Sequence, residues 1–265
     1  MSSDPRPAVS PDDDRALLAL AFRLASEAST IINDIRARGF HTELKKDASL
    51  VTEADRASEE HILAGLRAAC PSIPAIGEEE MSAGIQVSTG DTYWLVDPLD
   101  GTRGFSSGGR DFTVNIGLVR GDRPVLGVVA LPGYGQIYTG GDGLGATRFE
   151  NGRSEPIHTA APPPEGLRVL ASSHHGNTEL LNRWLAGRKV SSVVKMASSV
   201  KFMRVAEGDA DFYPRFGPTM EWDTAAPQAI LEAAGGALLD ESGQPLRYGK
   251  PERRNGSFYC TGGRA

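Results

Sequence analysis

Cysteine is scarce in this 265-residue chain, which carries only Cys70 and Cys260. Two such distant cysteines make neither a disulfide framework nor a closely spaced metal-ligand pair, and their scarcity fits a reducing compartment. Both read as small buried hydrophobes. Blocks of Lys or Arg are missing as well: 28 basic residues against 34 acidic ones leave a net charge of −6, which argues against nucleic-acid binding through a basic face. No apolar run approaches the ~20 residues of a membrane span, and even Arg15–Ile35 is interrupted by Arg23 and Glu27. The N-terminus, MSSDPRPAVSPDDD, lacks the apolar stretch of a secretory signal, so a cytoplasmic address is expected. Glycine, by contrast, is plentiful: 31 residues without a repeat, against a usual share of ~7%, which indicates turns between many short elements. A net acidic protein that handles an anionic substrate needs positive charge at its site, and metal ions are the obvious source.

The length allows one large domain or two small ones with a long interface. Residues 1–10 read as a disordered tail. A first helix is expected from Ser10, with Pro11 in its first turn and Asp12 to Asp14 at the positive end of its dipole. Leu17, Leu20, Leu24, Ala28, Ile31 and Ile35 recur at helical spacing, and Gly39 stops the run. A second helix is expected over about Glu53–Ala69. From Ile73 the period changes to two, giving strands at Ile73–Ile76, Tyr93–Val96, Phe112–Val119, Val125–Leu131 and Gln136–Thr139, the later ones an antiparallel meander. The Pro-rich stretch 151–166 reads as a linker between an α+β half (11–150) and an α/β half (167–265). The second half orders strand Leu167–Ser172, helix Thr178–Ala186, strand Val190–Lys195, helix Ser199–Glu207, strand Asp211–Tyr213, helix Asp223–Ala234, and strands near Ala237–Leu239 and Phe258–Cys260. Stacked helix and sheet layers forming one unit, with a site between the halves, fit that pattern.

Five carboxylates stand out. Asp97 and Asp100 follow an apolar strand in WLVDPLDGTRGF, with Pro98 between them and Gly101 bending the chain after them. Two carboxylates so close repel each other unless a cation lies between them, and hard oxygen ligands suit Mg²⁺. Glu78, in Gly77-Glu78-Glu79-Glu80, also follows a strand, although a run of glutamates is commonly a solvated loop. Asp223 and Asp55 both stand at helix starts, where Asp has a purely structural use as a cap; Thr52-x-x-Asp55 is a capping pair by spacing. Together with Thr102, whose hydroxyl follows Gly101 beside exposed backbone N–H groups, these acids outline a cleft between the halves. That set suits metal-assisted hydrolysis of a phosphate ester.

These motifs resemble those of the lithium-sensitive, magnesium-dependent sugar phosphatases typified by inositol monophosphatase. DASLVTEAD (47–55), Gly77-Glu78-Glu79, DPLDGT (97–102) and WDTAAPQAILEAAGG (222–236) stand in the family's order. The resemblance implies a layered α-β-α-β-α sandwich and two or three Mg²⁺ ions. Glu78, Asp97 and the Leu99 carbonyl would hold the first ion, Asp97, Asp100 and Asp223 the second, with a weaker third near Glu78. Asp55 and Thr102 would orient and deprotonate the attacking water, while Gly101 and Thr102 present N–H groups to the phosphate. Relatives occur as monomers and homodimers.

Within the family, ASSVKFMRVAEGDADFYPRFGPTMEWDTAA (197–226) is similar to the bisphosphate nucleotidase branch, which removes the 3′-phosphate of 3′-phosphoadenosine 5′-phosphate (PAP), a nucleotide of sulfate assimilation. By that resemblance Ser198, Lys201 and Arg215 hold the distal 5′-phosphate, and PAPS, the phosphosulfate form, is a related substrate. His174 either meets the nucleotide or belongs to an ordinary polar loop. Two departures keep a polyol monophosphatase open. Arg103-Gly104-Phe105 follows DPLDGT where the nucleotidases often have Lys-Glu-Phe, and Glu221 resembles an inositol-contacting acid of some members. A non-catalytic regulatory protein on the same fold is a third reading, opposed by the retention of every site acid and Thr102.

Overall fold

The computed structural model describes residues 9–10, 12–45, 50–173 and 177–263. The expected tail lies outside these except for Val9 and Ser10, and the Val9 N–H donates to the Ala69 carbonyl at 2.9 Å. In chain order the elements begin with helix α1 (Asp14–Arg38), the short strands β1 (Thr42–Leu44) and β2 (Leu50–Thr52), and helix α2 (Glu53–Ala69). Strand β3 (Ala75–Gly77), helix α3 (Glu78–Ser82), strand β4 (Thr92–Asp100) and helix α4 (Thr102–Ser106) follow. A meander then runs through β5 (Thr113–Arg120), β6 (Arg123–Leu131), β7 (Gln136–Gly141), β8 (Gly145–Glu150) and β9 (Arg153–Pro156). The second half contains β10 (Leu167–Ser172), α5 (Thr178–Leu185), β11 (Val190–Met196), α6 (Val200–Ala206) and β12 (Phe212–Arg215). It ends with β13 (Thr219–Met220), α7 (Glu221–Ala233), β14 (Ala237–Asp240), β15 (Arg254–Asn255) and β16 (Phe258–Thr261).

Strands β3 to β9 form one seven-stranded sheet in sequence order, antiparallel except for the β3–β4 pair. A five-stranded mixed sheet has the order β11-β10-β12-β16-β14. Period two decides what each face of the large sheet meets. Val114, Ile116 and Leu118 join the core under α1 and α2, whereas Gly117 faces α7 on the other side. Helices α6 and α7 lie between the two sheets, and Trp184 of α5 packs on Phe212 and Tyr259 of the smaller sheet. The layers are therefore helix, sheet, helix, sheet, helix.

Three expectations are corrected. Helix α1 starts at Asp14, because the Asp13 carboxylate caps it by accepting from the Ala16 N–H at 3.0 Å; Pro11 lies outside the described residues. At 25 residues, with mean hydropathy 1.2 over its best window, α1 is long and apolar enough to cross a membrane by length and composition, although its Leu17, Leu24, Ala28 and Ile32 are fully buried in the core. The meander also continues into the expected linker: β9 pairs with β8 and Ile157 is buried in the core shared by the two sheets, so after the turn at 151–152 and β9 only 157–166 lie outside helix and strand.

Helix α7 approaches the large sheet along a row of glycines. Gly117, Gly127 and Gly140 are register partners across β5, β6 and β7. A Cβ on Gly117 would stand 2.7 Å from the Ala226 nitrogen, one on Gly127 would overlap the Ala226 carbonyl, and one on Gly140 would stand 2.7 Å from the Ile230 Cα. The helix backbone therefore rests on the sheet where any side chain would hold it off. Gly127→Ala is expected to destabilise the fold by about 1–3 kcal/mol through overpacking, read as a lower urea midpoint; an unchanged midpoint contradicts this packing.

Candidate active site

Parallel pairing of β3 with β4 sets Gly77 opposite Val96, which brings Glu78, the first residue of α3, beside Asp97. The glycine row delivers the start of α7 to the same place. One carboxylate oxygen each from Glu78, Asp97 and Asp223 lies within 4.8 Å of the other two. Burial, then Glu78, Asp100 and Asp223, raise Asp97 well above the usual carboxylate range. Burial, with Asp100 and Glu78 adding to it, pushes Asp223 up to about 8. Glu78 is raised too, mainly by burial, against the pull of Lys45. Three oxygen donors converging from three elements fit a hard divalent cation such as Mg²⁺, whose charge offsets this repulsion.

Lys45, which carried no signal in the sequence beyond its charge, directly follows β1 and places its ammonium 2.9 Å from Glu78 Oε1 and 2.6 Å from Glu79 Oε1. Burial opposes its charge, but the two glutamates outweigh that and hold it above its ordinary range. Asp100 is turned differently from its neighbours: its Oδ2 accepts from the Ser199 N–H (2.7 Å), Ser199 Oγ (3.0 Å) and Ser198 Oγ (2.9 Å). The buried Ser199, also unread in the sequence, thus ties β4 to the start of α6. Its hydroxyl also lies 3.2 Å from the Asp223 carbonyl, which Pro227 cannot serve for want of an N–H. Asp223 is the third residue of α7 rather than the cap, and its Oδ2 accepts from the Met220 N–H at 2.9 Å.

Asp55 serves two ends at once. Its Oδ2 accepts from the Thr52 N–H (2.8 Å) and Thr52 Oγ1 (2.6 Å), which closes a capping box on α2, while Oδ1 accepts from Thr102 Oγ1 at 2.9 Å. Burial raises its carboxyl against these hydrogen bonds. Thr102 Oγ1 also lies 3.1 Å from the carbonyl of the buried Leu99, and the Leu99 N–H donates to Asp97 Oδ1. Gly101 takes φ +95°, and a Cβ there would stand 2.8 Å from the Asp111 carbonyl, so this tight bend requires glycine. Residues 47–49 of the first acidic motif and His174 lie outside the described residues.

Across a cleft of about 300 Å³ lined by Asp100, Thr102, Ser198 and Asp223 stand Lys201 and Arg215. Lys201 is 2% exposed; its ammonium donates to the Ser198 carbonyl at 2.5 Å and lies 5.0 Å from the centre of the Tyr213 ring. Arg215 donates to Ser172 Oγ and to the Gly217 and Pro218 carbonyls. Among the described residues neither cation has a carboxylate at ion-pair distance. Burial pushes Lys201 down to about 7, with Asp100 pulling upward and Arg215 pushing it further down. Ser198 Oγ bonds Thr113 and Asp100. Glu221 is fully buried and paired with Lys250 (3.3 Å) and Arg253 (3.0 Å). A larger groove of about 750 Å³ behind Lys45 and Glu79 has its Arg56 and Arg67 paired with Glu43 and Glu80.

A fold of alternating helix and sheet layers with acids at the ends of β3, β4 and the start of α7 defines a class. Residues 13–258 match the model of the inositol monophosphatase family, and the chain belongs to that family. It is 43% identical over 205 residues to the 3′(2′),5′-bisphosphate nucleotidase CysQ of Salmonella typhimurium, an alignment covering 77% of this chain and 81% of that protein. Among solved structures it is similar to CysQ from Bacteroides thetaiotaomicron, with a TM-score of 0.81 and 33% identity over 96% of this chain and 99% of the other. The inositol monophosphatase of Anabaena has a TM-score of 0.75 and 25% identity, covering 94% and 91%.

Relief of repulsion gives a direct test of the carboxylate cluster. In chelator at pH 8, Asp97→Asn is expected to melt above the wild type, by about 2–4 °C per ~1 kcal/mol relieved, and to lose the stabilisation that Mg²⁺ gives the wild type. A variant that melts lower in chelator and still gains from Mg²⁺ contradicts the assignment.

Proposed function

We infer that the chain is a phosphoric monoester hydrolase of the 3′(2′),5′-bisphosphate nucleotidase type, removing the 3′-phosphate of PAP, with PAPS as a related substrate. One observation carries this reading: a single cleft is lined by Asp100 and by Asp223 of the converging carboxylates, and also by two buried cations, Lys201 and Arg215, that among the described residues have no carboxylate at ion-pair distance. A substrate with two separated phosphates satisfies both ends, since the cations match a second phosphate that the acidic end repels.

Glu78, Asp97 and the Leu99 carbonyl would hold one Mg²⁺ and Asp97, Asp100 and Asp223 a second, with a third near Glu78. Bound there, magnesium supplies the positive charge that admits an anion among carboxylates and polarises the reacting oxygens. The chain's own residues handle the proton. Thr102 donates its hydroxyl hydrogen to Asp55 Oδ1, so its oxygen keeps lone pairs for a water's hydrogen. As that water attacks phosphorus and the bond from phosphorus to the 3′-oxygen breaks, the water's proton passes to Thr102 and the hydroxyl proton to Asp55, whose raised basicity suits an acceptor, while the departing 3′-oxygen takes a proton from solvent. Gly101 and Thr102 N–H groups face the transferring phosphate. Lys201 and Arg215 grip the distal phosphate, and Ser198 fixes Lys201 through its carbonyl. His174 completes the nucleotide contacts in this reading. The named residues all come from one chain, so monomer and homodimer both accommodate it.

The polyol alternative needs an acid free to meet hydroxyls, and the acid read for that role, Glu221, is buried under Arg253 and Lys250. Phosphate release in Mg²⁺ is therefore expected to favour PAP strongly over inositol 1-phosphate at equal concentration; the reverse preference overturns the nucleotidase reading. The cation end has a pH signature. Lys201 is half neutral near pH 7 in the free protein, facing Asp100, Arg215 and Asp111. A bound phosphate raises its pKa, so binding takes up a proton above pH 7, and affinity falls as pH rises from there. For adenosine 5′-phosphate at pH 8, where the phosphate is fully ionised, calorimetry in buffers of differing ionisation heat should show proton uptake by the wild type and none by Lys201→Met. Equal proton uptake by both contradicts the clamp.

A further inference from the structure

We propose that Glu59 is a positioning residue for the metal site, acting as the missing N-cap of α3, and that Gly77 is glycine to admit it. This rests on the assignment of Glu78 to the metal site.

Helix α3 has five residues, too few to be stable alone, and its own N-cap, Gly77, offers no side chain for the N–H groups of the first turn. Glu59 supplies the cap from another helix. Its Oε2 accepts from the Glu79 N–H and its Oε1 from the Glu80 N–H, both at 2.8 Å, the second and third positions that a capping side chain serves. The side chain is buried, with Glu59 only 3% exposed, in the interior of α2. The first residue of the turn so held is Glu78, and the second, Glu79, shares Lys45 with it.

The glycine that precedes this turn has no conformational reason to be glycine. Its φ of −107° and ψ of 152° are open to any residue. What excludes a side chain is Glu59: a Cβ on Gly77 would overlap its carboxyl carbon and Oε2 and stand 2.9 Å from its Cγ. The carboxylate cannot swing aside without releasing both N–H groups. Asp55 and Glu59 lie four residues apart, on one face of α2. One bonds Thr102 and the other holds the turn carrying Glu78, so α2 sets the water-orienting pair and a metal ligand in a common frame.

The test is equilibrium Mn²⁺ binding to the chelator-treated full chain, followed by the spin resonance of free Mn²⁺, with thermal melts of the metal-free proteins alongside. Glu59→Gln, which keeps the shape but turns a donor toward one N–H, should bind Mn²⁺ at least fivefold more weakly while remaining folded. Gly77→Ala should weaken binding tenfold or more. In the Glu59→Ala background, where the overlapping group is gone, the added Gly77→Ala change should cost less than twofold. Unchanged Mn²⁺ affinity in Glu59→Gln overturns the proposal, as does an equal Gly77→Ala penalty with and without Glu59. An unfolded Glu59→Gln protein would assign the residue to fold stability instead and overturn it too. None of these readouts needs a substrate, so failure of the nucleotidase reading would show separately, as wild-type protein that binds Mn²⁺ but does not release phosphate from PAP.

Discussion

Everything at the site depends on how closely α7 lies against the large sheet. A helix normally rests on side chains, with its axis about 10 Å from the sheet. Here three register-aligned glycines let its backbone reach the strands. That approach carries Asp223 to Asp97 and Glu78, three residues from three distant parts of the chain. Pro227 belongs to the same arrangement: it frees the Asp223 carbonyl, which Ser199 meets from α6. The sheet, the central helix layer and the acidic end of the cleft are thus one packing solution.

The electrostatics are arranged against the interest of the metal-free fold. Burying Asp97, Asp223 and Glu78 together raises all three carboxyls, and Lys45 answers only part of that charge. At the other end Lys201 is buried with no carboxylate at ion-pair distance among the described residues, and its charge is disfavoured. Groups that destabilise a fold in this way cluster where ligands supply the missing charge. Cations at one end and an anion at the other complete the balance. The two ends are linked through Asp100, Ser199, Ser198 and Lys201, so neither can shift without disturbing its partner.

Much of this was legible in the sequence, for identifiable reasons. Long periodic elements such as α1, β5 and β6 were found because each buries one face and so writes its period into the residue pattern. The clustered acids Asp97, Asp100 and Glu78 stood out because each comes just after an apolar run, although β4 extends through Asp100 itself. Several elements of two to six residues, β1, β2, α3, α4, β8, β9, β13 and β15, were not read, since they are too short or too polar to show a period and exist by tertiary support. Lys45, Ser199 and Glu59 escaped for a related reason: an isolated polar residue states its chemistry, but its partners are assigned by the fold. The glycine row shows itself only once the strands are in register. Asp55 caps α2 as the spacing predicted and bonds Thr102 with its other oxygen, so the structural reading holds and leaves the proposed chemical one room on the same side chain.

The central claim is that one cleft grips two separated phosphates, one among the acids and one between Lys201 and Arg215. The most direct measurement is kcat/KM in Mg²⁺ for PAP against adenosine 3′-phosphate, which differs only by lacking the distal phosphate. Two charge-assisted contacts at ~1.5 kcal/mol or more each predict a preference of about 100-fold or greater for the bisphosphate. Equal values for the two substrates would show that the cation end of the cleft takes no part in recognition and would contradict the account.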